Sequence, residues 1–219
     1  MRLILIRHGL PHRAGSPDGD GTGATADPEL TPLGHRQAAG VATALTGTPV
    51  DAIYSSPLRR ARQTAEPLAS VRDIKPQVVD DLAEYDAGDR HYVPVHLMAE
   101  VAPDAWERML AGQLPEYVDV PAFQARVVGA LERIADAHPG TASVACFAHA
   151  GVINVYLAAL LGLDRPLTFP LDYAGLTRIS VSRNGRRSVR TINEIAHVID
   201  LLDPESAGLP DVPDGPVSR

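Results

Sequence analysis

A chain of 219 residues, 45% hydrophobic and 21% charged, is long enough for one sizeable core and too apolar to be disordered. Its formal net charge of -7 argues against nucleic acid as a partner, since phosphate-backbone binders are usually basic. A small anionic substrate stays admissible, because a local cluster of arginines can overrule the global sign.

In chain order, residues 3–6 form a short apolar run rich in β-branched residues and read as a buried parallel strand. This stretch is too short for a signal peptide, and Arg7 and His8 follow at once. Residues 14–28 are dominated by Gly, Asp, Ala and Thr and read as a mobile loop. Thr31 as N-cap with Pro32 at the first helical position opens a helix to about residue 45. Residues 50–54 read as a second strand. Ser56-Pro57 repeats the cap-then-proline signal, for a helix to about residue 69. Residues 74–79 suggest a third strand. The stretch 82–121, with Trp106 and several prolines, reads as a cap-like excursion with short helices over one end of the sheet. A helix is expected over 122–137, a strand over 143–147, and a helix over 152–161 that ends at Gly162. Residues 176–181 and 188–192 alternate in strand fashion around Asn184-Gly185, a hairpin signal.

Strands alternating with helices imply a three-layer α/β/α sandwich with a mostly parallel mixed sheet and an antiparallel edge. The expected organisation is a single domain over 1–202 and an extended or disordered tail over 203–219. The one cysteine, Cys146, lies in an apolar strand, cannot close an internal disulfide and suits a reducing compartment. No run is long enough to span a membrane, so the expected location is the cytoplasm, with no membrane partner.

In open α/β sheets ligands bind beyond the carboxyl ends of the strands. The first strand is followed by Arg7-His8-Gly9, the second by a segment holding Arg59 and Arg60, and the late strand by His149. Two histidines and at least two arginines at one sheet edge suit a phosphoryl group. Guanidinium binds the dianion in bidentate fashion, and a neutral imidazole attacks phosphorus once a hydrogen bond fixes its tautomer. A protonated His149 would stabilise the equatorial oxygens. Gly9 would let the main chain approach the phosphate. The leaving alkoxide then needs a proton from a carboxyl group whose pKa is raised by burial.

Four ordered motifs carry a resemblance. Arg7-His8-Gly9, the helix from Leu30-Thr31-Pro32 to Gln37-Ala38, the segment from Ser55-Ser56-Pro57 to Gln63-Thr64-Ala65, and Phe147-Ala148-His149-Ala150-Gly151 are similar to those of the histidine phosphatase superfamily, the group that includes cofactor-dependent phosphoglycerate mutase. The resemblance covers residue 3 to about Gly162. It implies His8 as the phosphorylated nucleophile, Arg7, Arg60, His8 and His149 as phosphate-binding residues, and no metal or organic cofactor. Leu82-Ala83-Glu84 through Gly88 resembles the family's acid segment and nominates Glu84 as proton donor. Asp89-Arg90-His91-Tyr92 resembles a run of the mutases and nominates Asp89 as the alternative.

The implied function is a phosphatase that hydrolyses a phosphomonoester of a small metabolite. The alternatives are mutase-type phosphoryl transfer, a phosphohistidine-protein phosphatase, and an inactive phosphate-binding protein. A homodimer is admissible. The family's hydroxyl and asparagine after the first motif are replaced here by Pro11 and Ala14, with His12 or Arg13 as candidate compensators, which weakens the mutase reading. Arg59 and Arg62 read as a solvated helix face, Gln63 and Thr64 as helix packing, and His35, His138 and His197 as structural. His91, Tyr92 and His96 are candidates for shaping a substrate pocket. Asp18-Gly19-Asp20-Gly21-Thr22-Gly23 with Glu29 nearly fits a calcium loop, but a polar loop is the better reading.

Overall fold

The computed structural model describes residues 1–13, 25–90 and 92–202. The polar loop and calcium-like stretch before residue 25, His91 and the tail from residue 203 lie outside the described residues.

The elements run β1 (Arg2–Arg7), α1 (Pro32–Ala44), β2 (Ala52–Ser55), α2 (Arg59–Arg72), β3 (Gln77–Val78), α3 (Met98–Val101), α4 (Pro103–Leu110), α5 (Val120–Ala137), β4 (Ser143–Ala148), α6 (Ala150–Leu161), β5 (Leu176–Val181) and β6 (Arg187–Glu194). The strands form one sheet in the order β3-β2-β4-β1-β5-β6. The first four in that order are parallel, and β5 runs antiparallel to both its neighbours. This is the expected mixed α/β sheet.

The pleat of β1 explains the three layers. Successive side chains leave a strand on opposite faces. Leu3 and Leu5 pack with Val144, Cys146, Phe123 and Tyr156 on the side of α5 and α6. Ile4 and Ile6 pack with Val41, Leu45, Leu68 and Phe147 on the side of α1 and α2. Each fully buried leucine or isoleucine contributes about 2 kcal/mol of burial free energy. A strand apolar on both faces is therefore stable only between two helical layers.

Local signals account for most boundaries. Thr31 accepts from the Gly34 amide and caps α1, with Pro32 in the first turn. Asp119 caps α5 in the same way, two residues earlier than expected. Gly162, at φ +66°, ends α6 in the left-handed conformation that costs glycine little. Gly185, at φ +81°, sits in the β5–β6 turn.

Three further boundary differences bear on the site and the sheet. Helix α2 starts at Arg59 and Leu58 is its cap residue, so Ser56 does not cap it. Strand β3 is only two residues long, because Ile74 turns back to pack under α1 and α2. Helix α6 starts at Ala150, which makes His149 its N-cap residue and aims the first-turn amides at the site.

Candidate active site

The sheet register brings the site together. Arg7 pairs with Ala148 and Ser55 with Phe147, so His8, Ser56 and His149 leave three adjacent strands at nearly one level. Backbone bonds continue past the strands: the His8 amide donates to Ala148 O at 3.0 Å and the Ser56 amide to Phe147 O at 2.9 Å.

His8 is buried, and its Nδ1 lies 2.7 Å from Gly9 O. A carbonyl can only accept, so Nδ1 carries the proton and Nε2 keeps its lone pair. Burial, then the nearby charges of Arg60 and Arg7, hold the imidazole well below its ordinary pKa and therefore neutral. The loop behind it is tied down. Gly9 N donates to Thr64 Oγ1 at 3.0 Å, Thr64 Oγ1 donates to Arg60 O at 2.6 Å, and Leu10 N donates to Gln37 Oε1 at 2.8 Å. A Cβ on Gly9 would lie 2.6 Å from Gly34 O. The close approach that requires glycine here is therefore to α1, where the sequence reading had it made to a phosphate.

The two arginines are stacked in place. The Arg7 guanidinium lies 3.8 Å from the centroid of the Tyr173 ring and donates to Leu171 O. That of Arg60 lies 4.4 Å from the Tyr92 ring and 3.2 Å from Asp86 Oδ1. Flat stacking leaves the guanidinium edges for an anion. The buried Nε atoms of both arginines have no hydrogen-bond partner among the described residues.

His149 is fully buried, with its ring centroid 5.1 Å from that of His8. Its Nε2 lies 2.7 Å from Ser56 Oγ. That hydroxyl oxygen also accepts from Leu58 N at 3.3 Å. The other ring nitrogen, Nδ1, is buried without a hydrogen-bond partner among the described residues. The expectation of a protonated His149 needs correction: burial first, then Arg60, His8 and Arg7, push its pKa well below the ordinary value. The group available to an oxyanion is a neutral imidazole.

Glu84 follows β3 and is 7% exposed. Its Oε2 accepts from Gly151 N at 2.8 Å and its Oε1 from Tyr85 N at 3.1 Å. Burial and the nearby Asp86 raise its pKa to about 7, against the lowering effect of those two amides and Arg60. A carboxyl group poised near neutrality is suited to donating and retrieving a proton. Asp89, the alternative, accepts from Tyr117 OH at 3.0 Å and is not among the described lining residues of the pocket.

Arg7, His8, Arg60 and Glu84 line one pocket, together with Ala150 and Gly151. The excursion after Leu82 supplies one wall and the stretch from Leu167 to Leu171 another. That second wall and Tyr173 come from beyond Gly162, where the sequence reading saw no motif and stopped. His12 and Arg13 are exposed and outside the described lining, so they do not replace the lost hydroxyl and asparagine. Gln63 and Thr64 hold loops as well as packing a helix, since Gln63 Oε1 accepts from Leu30 N at 2.8 Å. His138 bonds Tyr54 and His197 bonds Ala174 O, and neither is in the described lining of the pocket. Glu29, from the calcium-like stretch, pairs with Arg59.

Sequence reasoning missed Ser56 as a partner of His149, Asp86 as a partner of Arg60, and Tyr173. Ser56 had a competing explanation as a helix cap, and Tyr173 sits in a stretch without periodicity.

Comparison with known proteins shows the family. A model of the histidine phosphatase superfamily (branch 1) matches residues 3–194. The chain is 29% identical over 206 residues to phosphoserine phosphatase 1 of Hydrogenobacter thermophilus, covering 90% of this chain and 94% of that protein. It is 32% identical over 169 residues to the adenosylcobalamin/alpha-ribazole phosphatase of Escherichia coli, covering 74% and 80%. Among solved structures, a mycobacterial glucosyl-3-phosphoglycerate phosphatase superposes with a TM-score of 0.70 at 25% identity, over 88% of this chain and 98% of that one. With the family match reaching from β1 to the end of β6, this chain belongs to the histidine phosphatase superfamily, branch 1.

Proposed function

We propose that the chain, as a single domain over residues 1–202, hydrolyses phosphomonoesters of small metabolites through a phosphohistidine formed on His8. The observation that carries the reading is the pairing of a neutral, tautomer-fixed His8 with a carboxyl group near pKa 7 across a pocket that also holds two stacked arginines. The phosphatase names of its relatives support it.

The substrate's phosphoryl oxygens bind Arg7, Arg60 and His149. The lone pair of His8 Nε2 forms the N–P bond as the ester O–P bond breaks. The leaving oxygen takes the proton of Glu84. The Glu84 carboxylate then accepts a proton from water, whose oxygen attacks phosphorus. The N–P pair returns to Nε2, and Glu84 is again protonated. The arginines and His149 stabilise charge that grows on the equatorial oxygens in both steps. The single, buried Cys146 fits a reducing compartment, and we place the protein in the cytoplasm.

The test is phosphate release from a panel of phosphorylated metabolites, with rapid quenching to trap labelled enzyme. Wild type releases phosphate and yields an acid-labile, base-stable phosphoenzyme. His8→Ala yields neither. Turnover retained by His8→Ala would overturn the assignment.

A further inference from the structure

The charges of the pocket are all committed to the phosphoryl end. Its described ionisable lining residues are Arg7, His8, Arg60, Glu84, Asp86 and the tyrosines 85 and 92. Arg7 and Arg60 flank His8, Glu84 faces the leaving oxygen in the mechanism above, and Asp86 is engaged by Arg60. The space beyond them is walled by Val95, Met98, Met109, Leu167, Phe169 and Tyr92. The one amide side chain there, Asn154, is spent on the scaffold: Nδ2 donates to Ala150 O and Phe169 O, and Oδ1 accepts from Phe169 N. Among residues outside the described set, only His91 and Arg219 are basic, and residues 14–24 contain no lysine or arginine. Arg13 and Arg90 are exposed and outside the described lining.

A carboxylate on the leaving alcohol would therefore enter an apolar wall whose described residues supply no cation to meet it, which is costly. An alkyl or aryl group would gain about fourfold in affinity for each methylene it buries. An ammonium group would find two carboxyl groups already engaged, one by Arg60 and one by the amides of Gly151 and Tyr85. We propose that the substrate is the monophosphate of an uncharged, apolar alcohol, and that this wall selects against carboxylated esters such as phosphoserine or phosphoglycerate. The inference rests on the phosphatase reading for which end of the substrate lies at His8.

Two matched pairs test it separately from that reading. Turnover is measured on n-hexyl phosphate and on the phosphate ester of 6-hydroxyhexanoate, with phosphocholine as a cationic comparison. Calorimetry on the wild-type protein measures n-hexylphosphonate against 6-phosphonohexanoate, which needs no catalysis. The expected result is at least about a tenfold preference for the hexyl compound in kcat/KM and in Kd, given a few buried methylenes. Met98→Lys, which adds a cation to the wall, should shrink or invert both ratios. Hydrolysis of both esters with equal or carboxylate-favouring kcat/KM would overturn the inference and leave the phosphatase standing, as would a preference for phosphocholine. A tenfold binding preference without hydrolysis of any ester would support the apolar wall and retire the phosphatase. Failure of both phosphonates to bind would overturn both.

Discussion

Glu84 occupies the space that a side chain at position 151 would take: a Cβ on Gly151 would lie 2.4 Å from Glu84 Oε1, while the Gly151 amide donates to Oε2. The first turn of α6 therefore holds the acid by its backbone, and only glycine permits the approach. The helix N-terminus favours the carboxylate and burial favours the acid. Their opposition leaves the group near neutrality.

Gly151→Ala should displace Glu84 while leaving His8 and the arginines in place. For alkyl phosphates kcat should fall about 10- to 100-fold, at the lower end of what general acid catalysis contributes. Turnover of p-nitrophenyl phosphate, whose leaving group needs no proton, should change little. Equal losses on both substrates would mean that the variant disturbs the phosphoryl site and that Glu84 is not the acid.

The pH profile should be bounded by His8 and Glu84. His8 attacks when neutral and its pKa is depressed, so the acid limb of kcat/KM should lie below the ordinary imidazole value. Glu84 donates when protonated, so the rate on alkyl esters should fall as pH rises through about 7. Glu84→Gln should remove that upper limb and lower kcat by about 10²–10⁴-fold. Stability follows the same group. The folded state binds the Glu84 proton more tightly than the unfolded chain, so stability should decline from the ordinary carboxylate range up to about pH 7. Denaturant titrations of Glu84→Gln should show a shallower decline.

Ser56→Ala should release the His149 ring from its hydrogen bond. The expected effect is a drop in kcat of about tenfold with KM little changed, because the lost orientation matters most where charge develops. Ser56→Thr, which keeps the hydroxyl, should recover most of the rate. An unaltered kcat in Ser56→Ala would show that His149 needs no such partner.

Thr64→Val is nearly isosteric and removes the hydroxyl that joins Gly9 N to Arg60 O. It leaves a buried amide without a partner, for a loss of about 1–3 kcal/mol. Thermal denaturation should register the loss, and phosphate affinity should weaken with it, because both His8 and Arg60 are held through Thr64. A wild-type melting temperature would mean that the Gly9 amide finds another acceptor.

Much of this site was legible in one dimension because its parts follow strands. Arg7-His8 and His149 each come directly after an apolar run, and a parallel sheet places such residues along one edge. Glu84 was nominated by resemblance to the family's acid segment rather than by its own chemistry, with Asp89 as the alternative. Tertiary placement separates them: Glu84 lines the pocket and accepts from the Gly151 amide, whereas Asp89 accepts from Tyr117 OH outside the described lining. The opposite failure occurred at Ser56. A serine before a proline has a good local reason to cap a helix, and the local reason lost to a tertiary one, the hydrogen bond to His149.

The sequence by itself determined the layered α/β architecture, the edge at which the histidines and arginines gather, and the family, because alternating apolar runs and strand-end motifs are local patterns. Only the tertiary structure decided the protonation states and the shape of the substrate wall. Those depend on burial and on charges brought together across the fold, as when Arg60 approaches both histidines, Asp86 raises the pKa of Glu84, and Leu167 and Phe169 close a pocket begun at Val95. Electrostatic and hydrophobic free energies are set by distance in space, and separation along the chain does not encode that distance.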